Sequence, residues 1–355
     1  MQKVRWGILS TAKIGIVKVI PAMQRGSLCE ISAIASRDRG RAEEAARRLG
    51  IPKVYGSYEE LLADPEIEAV YNPLPNHLHV PLSIRAAEAG KHVLCEKPIG
   101  MNASEARELL AARDRTGVII GEAFMVQTHP QWVRAAELAR SGAIGQLRAA
   151  RCSYGYFNPN PENIRNILAF GGGGLMDIGC YPVKVSRMVF GEEPRRVAAT
   201  MVRDPQFGTD VLTSAVLEFP SAHCVFTCST QIVPNQSIEF LGTKGRMWCN
   251  VPFNAIPGEV SRLHIDNGSD LKGAGITTEE FAACDQYTVQ GDLFSRAIRE
   301  GGRPPVPLED SVRNMEVIDA LFRSAESGKW EEVKQGLTWS QSTTPGPGGP
   351  HPPSA

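Results

Sequence analysis

The 355-residue chain has almost no net charge, with 38 Lys and Arg against 39 Asp and Glu leaving a formal -1 at pH 7. That balance argues against a broad basic surface for nucleic acid or an anionic membrane and leaves room only for local basic patches. No apolar run approaches the roughly 18 residues that cross a bilayer. The opening residues Met1 to Trp6 run straight into strand-like sequence, without the basic, apolar and small-residue regions of a signal peptide. No membrane partner, no nucleic-acid partner and a cytoplasmic location are expected. The eight cysteines, Cys29, Cys95, Cys152, Cys180, Cys224, Cys228, Cys249 and Cys284, include no C-x-x-C pair and no zinc-like spacing. Buried, reduced thiols are expected.

What the chain does have is ordinary globular composition, 42% hydrophobic and 22% charged, over a length at which one core usually stops growing. Two domains are expected. Up to about Gly121 strand and helix signals alternate: strands at 4–9, 30–35, 69–71, 92–95 and 118–120, helices at 14–23 (interrupted by Pro21), 41–49, 58–62 after the cap Ser57, 80–89 and 104–113. Repeated β-α-β order predicts an α/β unit, a doubly wound parallel sheet of Rossmann type with right-handed crossovers, over residues 1–122.

From 123 to 335 the texture changes. After a helix at about 130–140, strands are expected at 147–154, 196–202, 212–219, 224–231 and 237–241 with no helices interleaved among the last four, and then helices at 286–298 and 311–325. This predicts an α+β unit with a large, mainly antiparallel open sheet. Helices would cover one face and a partner subunit the other, giving a homodimer or homotetramer. Residues 336–355 form a Pro/Gly/Ser-rich tail that cannot bury apolar area and is expected to be mobile.

Small residues follow the first strand. Ser10-Thr11-Ala12-Lys13-Ile14-Gly15 stands where a dinucleotide-binding turn would carry G-x-G-x-x-G; small side chains let backbone N–H groups approach a pyrophosphate at a helix N-terminus. Taken alone, the turn reads equally as an ordinary strand-helix connection. The second strand ends in Ser36-Arg37, a hydroxyl and a guanidinium that suit a ribose 2'-phosphate, so NADP is favoured over NAD. The loop Asn72 to His79 lies at the sheet edge where ligands of open α/β folds bind; Pro73, Asn76 and His79 are candidate cofactor contacts. His77 and His79 lack a third ligand of obvious spacing, so no metal is expected.

Glu96-Lys97-Pro98 ends a strand and places an ammonium beside a bound cofactor or substrate. Gly171 to Gly174 lead into Asp177 and Tyr181, four residues apart and on one face if 175–189 is helical. A tyrosine hydroxyl exchanges a proton with an alcohol if its pKa is lowered, and Lys97 is the cation available to lower it. Asp177 is expected to orient the substrate or the tyrosine. Arg165 and His129 are further candidate substrate contacts.

Cys95-Glu96-Lys97-Pro98 and Gly173-Gly174-Leu175-Met176-Asp177-Ile178-Gly179-Cys180-Tyr181 resemble the two signatures of the glucose-fructose oxidoreductase / inositol dehydrogenase / rhizopine-catabolism (Gfo/Idh/MocA) family, and the likeness runs from Val4 to about Val333. Tyrosine at 181, where many members carry histidine, is similar to the branch of glucose-fructose oxidoreductase, NADP-dependent D-xylose dehydrogenases and dimeric dihydrodiol dehydrogenases. The resemblance implies that Lys97 is catalytic, that NADP is the cofactor and that dimers form through the open sheet. It also implies hydride transfer between nicotinamide and a carbinol or carbonyl carbon of an aldose such as xylose or glucose, or a related polyol. Tyr181 would take the hydroxyl proton, Lys97 would stabilise the phenolate and Asp177 would fix the substrate. The alternatives are a trans-dihydrodiol as substrate, or an NADP-binding sugar sensor without turnover; a sensor would have no need of both Lys97 and Tyr181.

Overall fold

A computed structural model describes residues 1–334; the expected tail lies outside the described residues. The first sheet holds β1 (Val4–Leu9), β2 (Cys29–Ala35), β3 (Lys53–Tyr55), β4 (Ala69–Asn72), β5 (His92–Glu96) and β6 (Ile120–Ala123) in the order β3-β2-β1-β4-β5-β6. All of its pairings are parallel. Strands covered on both faces read as continuous apolar runs, and Trp6, Ile8 and Leu9 of β1 are fully buried. β3 escaped the sequence reading because it is three half-buried residues. β6 begins two residues later than expected. The strand order reverses between β1 and β4, which opens a crevice at their C-terminal ends.

Helices α1 (Ile20–Arg25), α2 (Arg39–Leu49), α3 (Tyr58–Ala63), α4 (His79–Glu88) and α5 (Ala103–Thr116) make the crossovers. Asp38, Ser57 and Asn102 cap α2, α3 and α5 by accepting backbone N–H groups of the first turn. The expected break at Pro21 takes the form of a π turn, Gly15–Val19, immediately before α1. Proline has no N–H to give the carbonyl five residues back. That carbonyl, of Ile16, accepts Arg48 Nη2 at 3.4 Å instead.

In the second unit, after α6 (Pro130–Ser141), nine strands form one sheet: β7 (Leu147–Phe157), β8 (Arg196–Arg203), β9 (Asp210–Glu218), β10 (His223–Ser229), β11 (Gln231–Gly242), β12 (Arg246–Cys249), β13 (Ser261–Asp266), β14 (Ile276–Phe281) and β15 (Glu331–Glu332). Their order is β14-β13-β12-β11-β7-β10-β9-β8-β15. Every pair is antiparallel except β10 with β7. The outer strands β12 to β14 were not anticipated.

Helices α6, α7 (Cys180–Phe190) and α9 (Leu308–Ser327) cover one face. The other face is open and carries the ion-pair ladder Arg151–Glu239–Arg246–Asp266 beside the half-exposed Val225. Helix α8 (Gln286–Glu300) does not stay with this unit. It lies on the first sheet, where Trp6 Nε1 donates to Ser295 Oγ at 3.1 Å and Asp292 accepts the N–H groups of Ser27 and Leu28. Helix α8, from the second part of the chain, thus packs against elements of the first. Among the described residues, no helix is long and apolar enough to cross a membrane, and all eight cysteines are unpaired, seven of them buried.

Candidate active site

A cleft of about 1020 Å³ runs between the C-terminal ends of the first sheet and the β7 side of the second. Ser10, Thr11, Ala12, Lys13 and Ile14 line one end of it. Ser10 holds a φ of +117°, a region that favours glycine, and its Oγ accepts the Ala12 N–H at 3.2 Å. A serine thus occupies a glycine conformation and steadies the turn with its own side chain. The first N–H groups of a helix have no partner within it, and the residues that start this one line the cleft.

At the end of β2, Ser36 Oγ accepts the Asp38 N–H at 3.2 Å, and Arg37 and Arg41 both line the cleft. Burial raises the pKa of the Tyr58 hydroxyl, and Arg37, within hydrogen-bond reach, opposes that rise. A small-residue turn, orphan helix donors and a hydroxyl with two guanidinium groups fit a dinucleotide that bears a 2'-phosphate. Arg41 was not singled out from sequence, although it lies one helical turn beyond Arg37.

Pro73, Asn76 and His79 of the loop after β4 all line the cleft. Asn76 Nδ2 donates to the Gly171 carbonyl at 2.8 Å and ties the two walls together. His79 borders the cleft but is 1% exposed. Its ring nitrogens lie 2.7 Å from the carbonyl oxygens of Pro98 and Leu74, holding the Glu96-Lys97-Pro98 segment in place, while burial pushes its pKa down to about 4 against those two bonds. His77 turns away and stacks on Phe170, 4.6 Å between centroids.

Lys97, at the end of β5, reaches across the cleft. Its Nζ donates to the Asp177 carbonyl oxygen at 2.6 Å and to Asp177 Oδ1 at 3.2 Å. That carbonyl is free for the same reason as that of Ile16: a second π turn, Leu175–Gly179, precedes α7, and the residue five on is Pro182, which has no N–H. The glycine run before it permits close approach. A Cβ on Gly173, at φ +121°, would sit 2.0 Å from Asp210 Oδ1, and the other carboxylate oxygen of Asp210 accepts the Leu175 N–H at 2.7 Å.

Asp177 Oδ2 accepts Tyr156 Oη at 2.7 Å and Arg165 Nε at 2.8 Å. Burial works to raise the Asp177 pKa, but Arg165 and Lys97 hold it well below the usual carboxylate range. In return, and against the pull of burial, the Asp177 charge holds Lys97 above its ordinary value. The same carboxylate raises Arg165. Glu96, half-buried and with its pKa raised by desolvation, accepts the Tyr71 hydroxyl at 2.6 Å.

Two expectations are corrected here. Asp177 and Tyr181 both line the cleft, but no hydrogen bond joins them; Asp177 bonds Lys97, Arg165 and Tyr156 instead. Tyr181 sits in an aromatic box, its ring centroid 5.0 Å from Phe124, 5.3 Å from Phe253 and 5.5 Å from Tyr154. Burial there raises its pKa well above 10, so Lys97 does not make it a phenolate. Its hydroxyl meets only Met125 Sδ, at 3.6 Å, among the described residues.

His129 is not brought to the cleft. It is 1% exposed, caps α6 by accepting the Gln131 N–H at 3.3 Å, and faces Cys284 Sγ at 3.6 Å. Burial lowers its pKa to about 4. The cleft residues missed from sequence include Tyr154, Tyr156 and Asn254. The tyrosines are two apart on β7 and so share a face, a signal present in the sequence; Asn254, in an irregular segment, had none.

Fold and site together define a dinucleotide-dependent oxidoreductase. The chain belongs to the Gfo/Idh/MocA family: residues 4–124 match its oxidoreductase domain with an NAD-binding Rossmann fold, and residues 132–248 match its C-terminal domain. It is 49% identical to the oxidoreductase ORF334 of Rhizobium meliloti over 94% of this chain and 100% of that protein. Identity to a D-xylose 1-dehydrogenase (NADP(+)) of Haloferax volcanii is 40%, over 92% and 99%. A 3-ketoreductase from Actinomadura kijaniata, crystallised with NADP and TDP-benzene, superposes with a TM-score of 0.84 at 30% identity, covering 91% of this chain and 98% of its own.

Proposed function

We propose that the protein is an NADP-dependent oxidoreductase acting on a CH–OH or carbonyl carbon of a sugar or related polyol. The observation that carries the reading is the Lys97–Asp177 pair at the junction of the two walls, 80 residues apart in sequence, each side chain 13% exposed. A buried ion pair breaks even at best as a stabilising device, so its place at a cleft floor points to chemistry. Ser36, Arg37 and Arg41 favour the 2'-phosphate of NADP over NAD.

NADP, when bound, supplies or takes the hydride. Lys97, fixed by both bonds to Asp177, presents a positive charge where the substrate oxygen becomes negative. The Tyr181 hydroxyl, with only a weak sulfur partner, is free to donate a hydrogen bond to that oxygen. In reduction Tyr181 and Lys97 act as the acid; in oxidation the same groups must first give up a proton. The open, ion-paired face of the second sheet supports a homodimer or homotetramer.

The test is a screen of aldoses, ketoses, inositols and dihydrodiols with NADP and NADPH, read by the absorbance of reduced nicotinamide. Turnover of a sugar or polyol supports the reading, and turnover of dihydrodiols alone moves the substrate to that class. Tight NADP binding with no turnover of any candidate favours a sensor.

A further inference from the structure

We infer that the substrate carries an anionic group, a carboxylate or a phosphate, away from its reacting carbon, and that Arg165 receives it; the inference rests on the hydride-transfer reading of the same cleft. The wall formed by the second unit divides into two zones of different hydrogen-bonding character. Nearest Lys97 the groups are mixed. Tyr156 Oη donates to Asp177 and keeps its lone pairs, Tyr154 Oη takes Asn254 Nδ2 and keeps its hydrogen, and Asn254 Oδ1 has no partner among the described residues. Donors and acceptors side by side match the hydroxyls of a polyol.

The segment from 158 to 165 is different. Asn158 Oδ1 accepts the Asn160 N–H at 3.3 Å, Asn160 Oδ1 the Glu162 N–H at 2.9 Å, and Asn163 Oδ1 the Arg165 N–H at 3.1 Å. A backbone N–H can be met only by the oxygen of a side-chain amide, so each asparagine is oriented with its NH2 group left over. Arg165 spends Nε on Asp177, and neither of its Nη groups has a partner among the described residues. All four residues line the cleft.

The side chains of this zone therefore all offer spare donors and have their amide oxygens already engaged, apart from Glu162, which is exposed at the mouth and screened by solvent. Two cations, Lys97 and Arg165, share one carboxylate, Asp177, and Glu96 lies on the Lys97 side, where it accepts the Tyr71 hydroxyl. A guanidinium tethered at Nε presents its outer edge in a fixed plane, a geometry that meets a carboxylate or phosphate with two parallel bonds. Neutral hydroxyls would leave that edge half used.

The experiment compares three substrates of one sugar skeleton: the neutral aldose, its uronic acid and its phosphate ester. Hydride transfer from each is measured with the wild type, Arg165→Met and Arg165→Lys. At least one anionic substrate is expected to exceed the neutral one in kcat/KM by about tenfold or more in the wild type. Arg165→Met should shrink that preference by about 10- to 100-fold, the scale of a charge-assisted bond, and Arg165→Lys should keep part of it. The ratio is the readout, because any loss through Asp177 and Lys97 affects all three substrates alike.

In the wild type alone, added salt should raise KM for the anion and leave the neutral sugar unmoved, which keeps the test available if a variant does not fold. The arm that responds identifies carboxylate or phosphate. A neutral sugar turned over as well as both anions, or an unchanged ratio in Arg165→Met, overturns the inference and leaves hydride transfer standing. Absence of turnover on all three and on the wider polyol screen overturns the reading beneath it.

Discussion

The Lys97 ammonium lies 5.1 Å from the centroid of the Tyr181 ring, over its face, and gives its hydrogen bonds to Asp177. A cation on the face of a ring favours the neutral aromatic through its quadrupole; a cation at the hydroxyl would favour the phenolate. Burial and the cation on its face both favour the neutral Tyr181 hydroxyl, the form that the proposed reduction requires.

The pH dependence follows with a definite sign. Tyr181 is raised well above 10 by burial, and Lys97 is held above 10.5 by Asp177 although burial works against it. The base forms are scarce at neutrality and increase tenfold with each pH unit below those pKa values. In the oxidative direction kcat/KM should rise with a slope of about 1 through neutral and mildly alkaline pH, whereas in reduction it should stay level over the same range. Rate profiles in both directions check this; an oxidative profile level from neutrality upwards contradicts it.

Asp177→Asn removes the charge that anchors both Lys97 and Arg165. We expect kcat to fall by about 100-fold or more with little change in NADP affinity. Because the carboxylate raises Lys97, its loss should also move the alkaline rise of the oxidative profile to lower pH. Steady-state kinetics and a fluorescence titration of the cofactor separate the two effects.

Arg37→Ala should weaken NADP by about 1.5–3 kcal/mol, the range for hydrogen bonds to charged groups, and NAD much less. Titration of the variant with both cofactors measures the difference. Equal weakening would move the 2'-phosphate away from Arg37 and towards Arg41.

The open face of the second sheet carries the Arg151–Glu239–Arg246–Asp266 ladder, alternating in sign across β7, β11, β12 and β13. Such a row complements a second copy of itself. Light scattering should find a dimer or tetramer at micromolar concentration, and Arg246→Glu, which makes one run of the ladder acidic, should shift it towards monomer. A wild type that is monomeric throughout contradicts the assignment.

Much of the first unit was legible because its central strands are continuous apolar runs and Ser57 announces a helix; the caps Asp38 and Asn102, which set the true starts of α2 and α5, were passed over. β3 was not legible, since three half-buried residues leave no periodic signal, nor were β12 to β14, short strands that gain their identity from neighbours. In the site, Lys97, Asp177 and Tyr181 were legible as residues, but their geometry was not. That the Asp177 carbonyl is left for Lys97 depends on a π turn, whose trace in the sequence is a proline, Pro182, where a regular helix would want an N–H donor. Tyr156 and Arg165 reach Asp177 through the fold alone.

The most direct measurement of the account is the rate of hydride transfer, followed by reduced-nicotinamide absorbance on the best sugar of the screen, in the wild type, Lys97→Met and Tyr181→Phe. Each variant should bind NADP as the wild type does and lose about 100-fold or more in kcat, with Lys97→Met at least as impaired as Tyr181→Phe. The double variant should be far less than additively worse, because the two residues act on one oxygen. Lys97→Met turning over at near the wild-type rate, with cofactor binding intact, would contradict the assignment of this cleft's chemistry to Lys97.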